Sequence, residues 1–350
     1  MQPDNLLTHC WYFGVSSKEL TAGKLIKKTI LGQPVVFGRK KDGQVFALKN
    51  VCPHQGMPLS YGKFDGDKIQ CCFHGWEFNT QGACTHVPSL VAAQQIDISH
   101  IKTPTYPCRE HQGLVWIFVG DKGLTNTELP PLPIVPGVED RPTCAMTQTT
   151  LLLPSHIDYA VIALMDPAHV PFVHDSWWFR SPKTMKEKSK QFVPSNIGYT
   201  MVNHKASTPS KIYALLGGVP ETEISFQLPS IRIEHMTIGG KTVFTGLTVI
   251  TPIDETQSEI SHLMFWPIPW MGLFSPVIQH FSDSFLAQDQ QAAERQQEGL
   301  KSNANLMPII KDAGTPVKWY FELKRAWLKA VAENQGFENP LKAEKLYWRS

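Results

Sequence analysis

Hydrophobic and polar residues alternate in short runs over the first third of the chain and give way to longer segments beyond it. Gln33–Arg39 (QPVVFGR), Gln44–Leu48 (QVFAL) and Gly113–Val119 (GLVWIFV) are rich in β-branched and aromatic residues, with Gly, Asp and Asn between them. Residues 10–120 are therefore predicted as short strands and turns. Leu129–Pro136 (LPPLPIVP) places four prolines in eight residues and reads as a linker. After it a helix is predicted over Ile157–His169. Strands follow over Glu223–Leu228, Ser230–Ile238, Thr242–Thr251 and Glu259–Phe265, and their composition favours an antiparallel sheet. Two helices close the chain, one over Ser282–Leu300 and one from Thr315–Pro316 to before Gly336. The pattern predicts an all-β domain over residues 1–125 and an α+β domain over residues 126–350.

Composition narrows the functional classes. The 350 residues are 42% hydrophobic and 18% charged, ample core material for two domains. A net charge of +2 without a clustered basic excess argues against a nucleic-acid partner. The N-terminus, MQPDNLLTHCWYFGVSSKEL, lacks a basic region followed by an apolar one, so no secretory leader is expected. The most apolar window, Met264–Ile278, is too short to cross a bilayer as a helix and contains three prolines. No transmembrane helix is expected, and this window reads as a pocket-lining or surface segment. Seven cysteines, an odd and dispersed number, point to reduced thiols plus a metal site and to a cytoplasmic setting.

Cys52-Pro-His54, sixteen residues, then Cys71-Cys-Phe-His74 carries the sharpest chemistry. Two loops that each offer one thiolate and one imidazole suit a [2Fe–2S] cluster with two Cys on one iron and two His on the other. Structural zinc also takes two Cys and two His, but zinc fingers pair like residues on each element. Cys72 rivals Cys71 on chemistry alone. Gly56 and Gly75 allow tight bends that turn backbone N–H groups towards the sulfurs.

A second constellation lies in IALMDPAHVPFVH, residues 162–174. Two histidines and a carboxylate on one face of an iron leave positions open for O2. Asp166 and His169 share a helical face, whereas His169 and His174 would diverge by about 140° on a regular helix. Pro171 permits a bend that brings them together. Asp289 is the candidate third ligand, since Phe285, Leu286, Ala292, Ala293 and Gln296 surround it on the helical wheel, with Phe281 at the edge. A carboxylate on such a stripe is costly unless it is paired or binds metal, and an Arg or Lys partner is the alternative. Asp283 and Glu294 point away and read as solvated.

CPHQG and CCFHGW resemble the two boxes of Rieske domains. Met57 and Phe73 stand where Rieske proteins of cytochrome bc complexes carry a disulfide pair, so the likeness is to the oxygenase type. DPAHVPFVH followed by QDQQAAERQQ resembles the catalytic domain of Rieske non-haem iron oxygenases, in the group of pheophorbide a oxygenase, vanillate O-demethylase and dicamba demethylase. The resemblance implies an α+β helix-grip catalytic domain with an antiparallel sheet and covering helices. It implies Cys52, His54, Cys71 and His74 as cluster ligands, and His169, His174 and Asp289 as ligands of a mononuclear Fe(II). It also implies a homotrimer in which Asp166 links the iron-bound His of one subunit to His74 of the next. A separate reductase or ferredoxin would supply electrons from NAD(P)H, and O2 would be the co-substrate. Hydroxylation or oxidative demethylation of a small apolar ring-containing substrate is the expected activity, with a pure electron carrier or a metal-binding structural protein as rivals.

One departure stands out: Ile162-Ala163 occupies the place where relatives carry a polar residue near the iron, and Asp158 and His156 are the candidates to replace it. Trp177, Trp178, Phe226, Phe265, Trp266, Trp270 and Phe274 are candidates for the pocket wall or for ordinary core. The basic terminal helix, with Trp319, Leu323, Lys324, Arg325, Trp327 and Lys329, is a candidate for docking a reductase or for covering a sheet.

Overall fold

The computed structural model describes residues 5–91, 93–121, 129–139, 145–174, 182–205, 218–267, 269–302 and 308–350. It divides into a small unit centred on Thr8–Pro133 and a large unit that takes most of the chain from Ile134 onward.

The small unit is built from β1 (Cys10–Ser16), β2 (Leu25–Ile30), β3 (Gln33–Arg39), β4 (Val45–Lys49), β5 (Lys63–Phe64), β6 (Lys68–Gln70), β7 (Glu77–Asn79), β8 (Cys84–His86), β9 (Thr105–Tyr106), β10 (Cys108–His111) and β11 (Leu114–Val119). These form three antiparallel sheets, ordered β1-β11-β10, β2-β3-β4-β9 and β5-β6-β7-β8. The run LVWIFV in β11 is apolar at every position because the strand lies between two neighbours and Leu114–Phe118 are all buried. Two loops, β4 to β5 and β6 to β7, carry the Cys–His pairs. Beneath them Val36, Leu48, Leu59, Ile69 and Phe78 share one buried cluster with Cys52 and Cys71.

The large unit is a sheet of eight strands ordered β12-β18-β17-β16-β15-β14-β13-β19. The strands are β12 (Ala145–Leu153), β13 (Glu187–Ser195), β14 (Gly198–Lys205), β15 (Glu221–Gln227), β16 (Ile231–Ile238), β17 (Lys241–Pro252), β18 (Ser258–Phe265) and β19 (Glu344–Arg349), all paired antiparallel. β15 to β18 are the four predicted strands. β12, β13, β14 and β19 were not predicted; in β13 and β19 charge hides the alternation, as in EKSKQFVPS and EKLYWR.

The helices are α1 (Ile157–Met165), α2 (Val170–Val173), α3 (Ser275–Leu300) and α4 (Thr315–Ala332). α1 stops short of the predicted His169. Asp166 is extended (φ −73°, ψ 114°), as expected for a residue before proline, here Pro167. α3 starts earlier than Ser282 because Pro276 sits in its first turn, where no backbone N–H is needed. Among the described residues no helix is long and apolar enough to cross a membrane.

α3 is fastened along β12 by glutamines. Gln279 donates to the carbonyl of Gln148 at 3.0 Å and accepts from its N–H at 3.2 Å, while Gln290 donates to the carbonyl of Leu152 at 2.7 Å. α1 is fastened to α4 by charge. Lys324 Nζ and Tyr320 Oη both donate to Asp158 Oδ1 at 2.6 Å, and the Lys324 and Asp158 side chains are each 1% exposed. Removing one member of such a pair strands a buried charge. Lys324→Met is expected to destabilise the large unit by about 3–5 kcal/mol in urea unfolding. The double variant Asp158→Leu/Lys324→Met is expected to recover most of that loss. Equal losses in the single and double variants would count against the pair.

Candidate functional site

In the small unit the two Cys–His loops are closed in the same way. The N–H of Cys52 donates to Met57 O at 2.8 Å and that of Gly56 to Cys52 O at 2.9 Å; the N–H of Cys71 donates to Trp76 O at 2.8 Å and that of Gly75 to Cys71 O at 3.0 Å. Gly56 (φ 78°) and Gly75 (φ 72°) occupy left-handed backbone that a side chain would strain. Cys52 and Cys71 are buried, Cys72 is exposed, and the His54 and His74 rings lie 4.7 Å apart towards the surface. Trp76 stacks on His54 at 4.3 Å. Burial pushes the Cys52 thiol up to about 11, against the N–H groups of His54 and Gln55, and the adjoining Cys71 raises it further. Two touching thiols over an apolar base and two imidazoles above them are the donor set of a two-iron cluster with unlike ends. Among the described residues, three donors close enough for a single ion occur elsewhere, at His169, His174 and Asp289.

In the large unit those three residues bring their ligand atoms within 4.8 Å of one another. Their positions follow from the local chain. Pro167 ends α1 and His169 caps the start of α2. Pro171 then lies in the first turn of that short helix, so it starts a turn where the sequence suggested an interruption. His174 leaves the turn with φ −104° and ψ 35°. Asp289 comes from α3, whose cavity-facing residues Phe281, Phe285, Leu286, Ala292, Ala293 and Gln296 are those placed around it by the helical wheel. Asp283 is exposed and accepts from Thr149 Oγ1 at 2.6 Å; Glu294 is also exposed.

Hydrogen bonds fix how the histidines face. His169 Nδ1 donates to the backbone carbonyl of Asp166 at 2.7 Å, and His174 Nδ1 donates to Gln288 Oε1 at 2.9 Å. Each ring therefore keeps its Nε2 lone pair for the centre. Phe285 stacks on His174 with centroids 3.6 Å apart. His174 Nε2 lies 3.2 Å from Asp289 Oδ1 yet makes no hydrogen bond, although the atom is buried. Two polar atoms this close and unaligned fit a shared cation between them. Burial holds the His169 imidazole below its ordinary pKa against the pull of the Asp289 carboxylate, which suits a neutral ligand. The Asp166 carboxylate accepts the N–H of Ala168 at 2.7 Å, so its backbone, not its side chain, is what touches His169 here.

The three donors open on a cavity of about 750 Å³ between the sheet and the helices. Residues 10–107 match the Rieske [2Fe-2S] domain, and residues 158–314 match the vanillate O-demethylase oxygenase C-terminal domain. The chain joins a Rieske domain to a vanillate O-demethylase-type oxygenase domain.

The chain has relatives of several kinds. It is 25% identical over 329 residues to chlorophyllide a oxygenase, chloroplastic, of Arabidopsis thaliana, covering 87% of this chain and 55% of that protein. It is 34% identical over 174 residues to the oxygenase component of chloroacetanilide N-alkylformylase of Rhizorhabdus wittichii (strain DC-6 / KACC 16600), covering 49% of this chain and 47% of that protein. The chain thus spans about half the length of these relatives. Its fold matches the crystal structure of dicamba monooxygenase bound to dicamba with a TM-score of 0.68 at 21% identity, over 93% of this chain and 98% of that one.

Several details depart from the sequence reading. Ile162 and Ala163 line the cavity, and neither proposed replacement supplies a polar group there: Asp158 is held by Lys324 and Tyr320, and His156 Nδ1 accepts the N–H of Asp158. Phe226, Phe265 and Trp266 are core, Phe274 is exposed, and Trp177 and Trp178 lie outside the described residues, as does the side chain of Trp270. Trp319, Leu323 and Lys324 of α4 are buried, so that face covers the sheet side of the unit. Gln288 and the polar residues of the sheet, Arg232, Glu234, Thr248 and His262, went unnoticed. For Arg232 and Glu234 the signal is charge at alternate positions in IRIEHMTI, which strand periodicity alone cannot separate from a solvent face.

Gln288 makes the site testable without turnover. Gln288→Leu removes the acceptor on His174 and is expected to weaken iron binding about 10- to 100-fold in an anaerobic Fe(II) titration. Gln288→Glu, which keeps an acceptor, is expected to stay nearer the wild type. Unchanged affinity in the Leu variant would deny Gln288 any hold on the ring.

Proposed function

We propose that the chain is the terminal oxygenase component of a multicomponent Rieske system, with a cluster domain over residues 1–125 and a catalytic domain over residues 126–350. The observation that carries this is a His–His–Asp cluster facing a large apolar cavity in the same chain as paired Cys–His loops. Cys52, His54, Cys71 and His74 would hold the [2Fe–2S] cluster, and His169, His174 and Asp289 would hold Fe(II). When bound, the two centres supply single-electron delivery and O2 activation for hydroxylation or oxidative demethylation.

The protein's own part is arrangement. The His54 and His74 edges give electrons an exposed point of exchange, while the buried thiols anchor the other end in the core. Asp166 O and Gln288 orient the iron imidazoles. The cavity walls position an apolar ring and keep water away from it. Asp166 is assigned as the link to His74 of a neighbouring subunit in a homotrimer, since one of its carboxylate oxygens is committed to Ala168 and the other remains for that role. Electrons would come from NAD(P)H through a reductase or ferredoxin, in the cytoplasm. Relatives named for chlorophyllide a and a chloroacetanilide support a ring-containing substrate. A pure electron carrier has no use for an apolar cavity beside three metal donors.

Anaerobically prepared protein is expected to show the visible absorption of a reducible [2Fe–2S] centre, which zinc lacks. Asp289→Ala is expected to keep that absorption while losing the mononuclear iron and all oxygen insertion. Turnover that survives in this variant would remove Asp289 from the ligand set, and a colourless protein would end the oxygenase reading.

A further inference from the structure

The cavity's sheet wall carries a polar row that the metal centre does not use. Thr149, His262, Thr248 and Arg232 are successive cross-strand partners on β12, β18, β17 and β16. Paired residues share a face of the sheet, and His262, Thr248 and Arg232 all line the cavity, joined by Glu234 two residues along β16. The neighbouring row runs Glu234, Gly246, Met264. Gly246 lets the Phe244 and His262 rings close over the strand, since a Cβ at that position would lie 3.3 Å from the first and 3.4 Å from the second.

The charges in this row cancel internally. Arg232 Nη2 is 3.3 Å from Glu234 Oε2, a single contact that leaves further guanidinium donors available. Thr248 Oγ1 lies 2.8 Å from His262 Nδ1, which holds the ring and leaves Nε2 as its remaining polar atom. Burial pushes the His262 imidazole down to about 4, with the Arg232 charge acting in the same direction, so the ring is neutral at ordinary pH. The patch thus offers donors and an acceptor without net charge beside Ile224, Phe244, Ile260 and Met264, and the cavity's lysines, Lys188 and Lys190, lie three strands away on β13.

Each class of ligand meets this patch differently. A carboxylate on this row would meet Glu234, whose charge Arg232 already balances, and would leave one uncompensated negative charge there, which is costly. A bare hydrocarbon would take water from Arg232 and His262 and return no hydrogen bond. A hydroxyl or keto oxygen satisfies the donors, a hydroxyl can also reach Glu234, and the balance of charge is kept. The volume, about 750 Å³, lies in the upper part of the range of about 300–1,000 Å³ for small-molecule sites, room for more than one ring. We propose that Arg232, Glu234 and His262 form an anchor for an uncharged multi-ring substrate, gripping a hydroxyl or keto oxygen while another carbon faces His169, His174 and Asp289. Thr248 is a positioning residue for His262. The identity of this anchor as a substrate site rests on the oxygenase reading; its binding preference does not.

Equilibrium dialysis of the fully loaded protein against hydroxypyrene, pyrene and pyrenecarboxylate separates the cases. Hydroxypyrene is expected to bind about tenfold tighter, or more, than either of the others. In Arg232→Met/Glu234→Gln, which removes both charges together, that preference is expected to fall below about threefold while the affinity for pyrene itself holds. Thr248→Val, nearly isosteric, is expected to reduce the preference in part, and it serves as the readout should the double variant fail to fold. Cluster absorption and thermal unfolding report whether each variant is intact. Tightest binding of the carboxylate, a preference untouched in both variants, or no binding by any of the three overturns the anchor. Oxygen insertion with a surrogate reductase is scored separately. Selective binding without insertion leaves the anchor standing and sinks the oxygenase reading, and insertion without selectivity does the reverse.

Discussion

Two imidazoles and a carboxylate crowded within 4.8 Å inside an apolar cavity are the constraint on which the large unit depends. Left to themselves these groups would be poorly solvated and poorly paired, and the buried Nε2 of His174 has no hydrogen-bond donor or acceptor to answer it. The surroundings hold them there regardless. Phe285 presses on one face of His174, Gln288 fixes its far nitrogen, and the carbonyl of Asp166 fixes His169. All of this requires α3 to lie in one register along β12 and α1 to end at Asp166. The first is set by glutamine side chains on strand peptides and the second by one proline.

The small unit solves the opposite problem with related means. Its donors sit at the tips of two loops that are short, separately closed and alike, so their conformation depends on local hydrogen bonds and on two glycines with positive φ. The thiols reach down into the apolar cluster and the imidazoles stay near solvent. A gradient from dry to wet across one cofactor site is built into the sequence spacing itself.

That contrast explains what could be read in advance. Cys52, His54, Cys71 and His74 were legible because each pair is local in sequence and rare in composition. His169, His174 and Asp289 were legible only in part: Asp289 stood out as a carboxylate on an apolar stripe of α3, and the two histidines gained meaning from the upstream motif. The extension of the first helix to His169 was misjudged because the restriction Pro167 places on Asp166 outweighs helical periodicity. β13 and β19 were missed because lysine, glutamate and arginine occupy positions that an isolated strand would show to water. Arg232, Glu234 and His262 were missed for a related reason, since a strand's polar side looks the same whether it faces solvent or an enclosed cavity.

The glutamines that bind α3 to β12 have a bearing on how this fold fails. β12 is the outermost strand of the eight on its side, and Gln279 and Gln290 occupy peptide groups that a strand from another molecule would otherwise pair with. The helix that carries Asp289 is therefore also the guard of an adhesive margin. A change that lifts α3 from β12 would displace Asp289 and bare that margin together, so the geometry of the three-residue cluster and the solubility of the fold share one fastening.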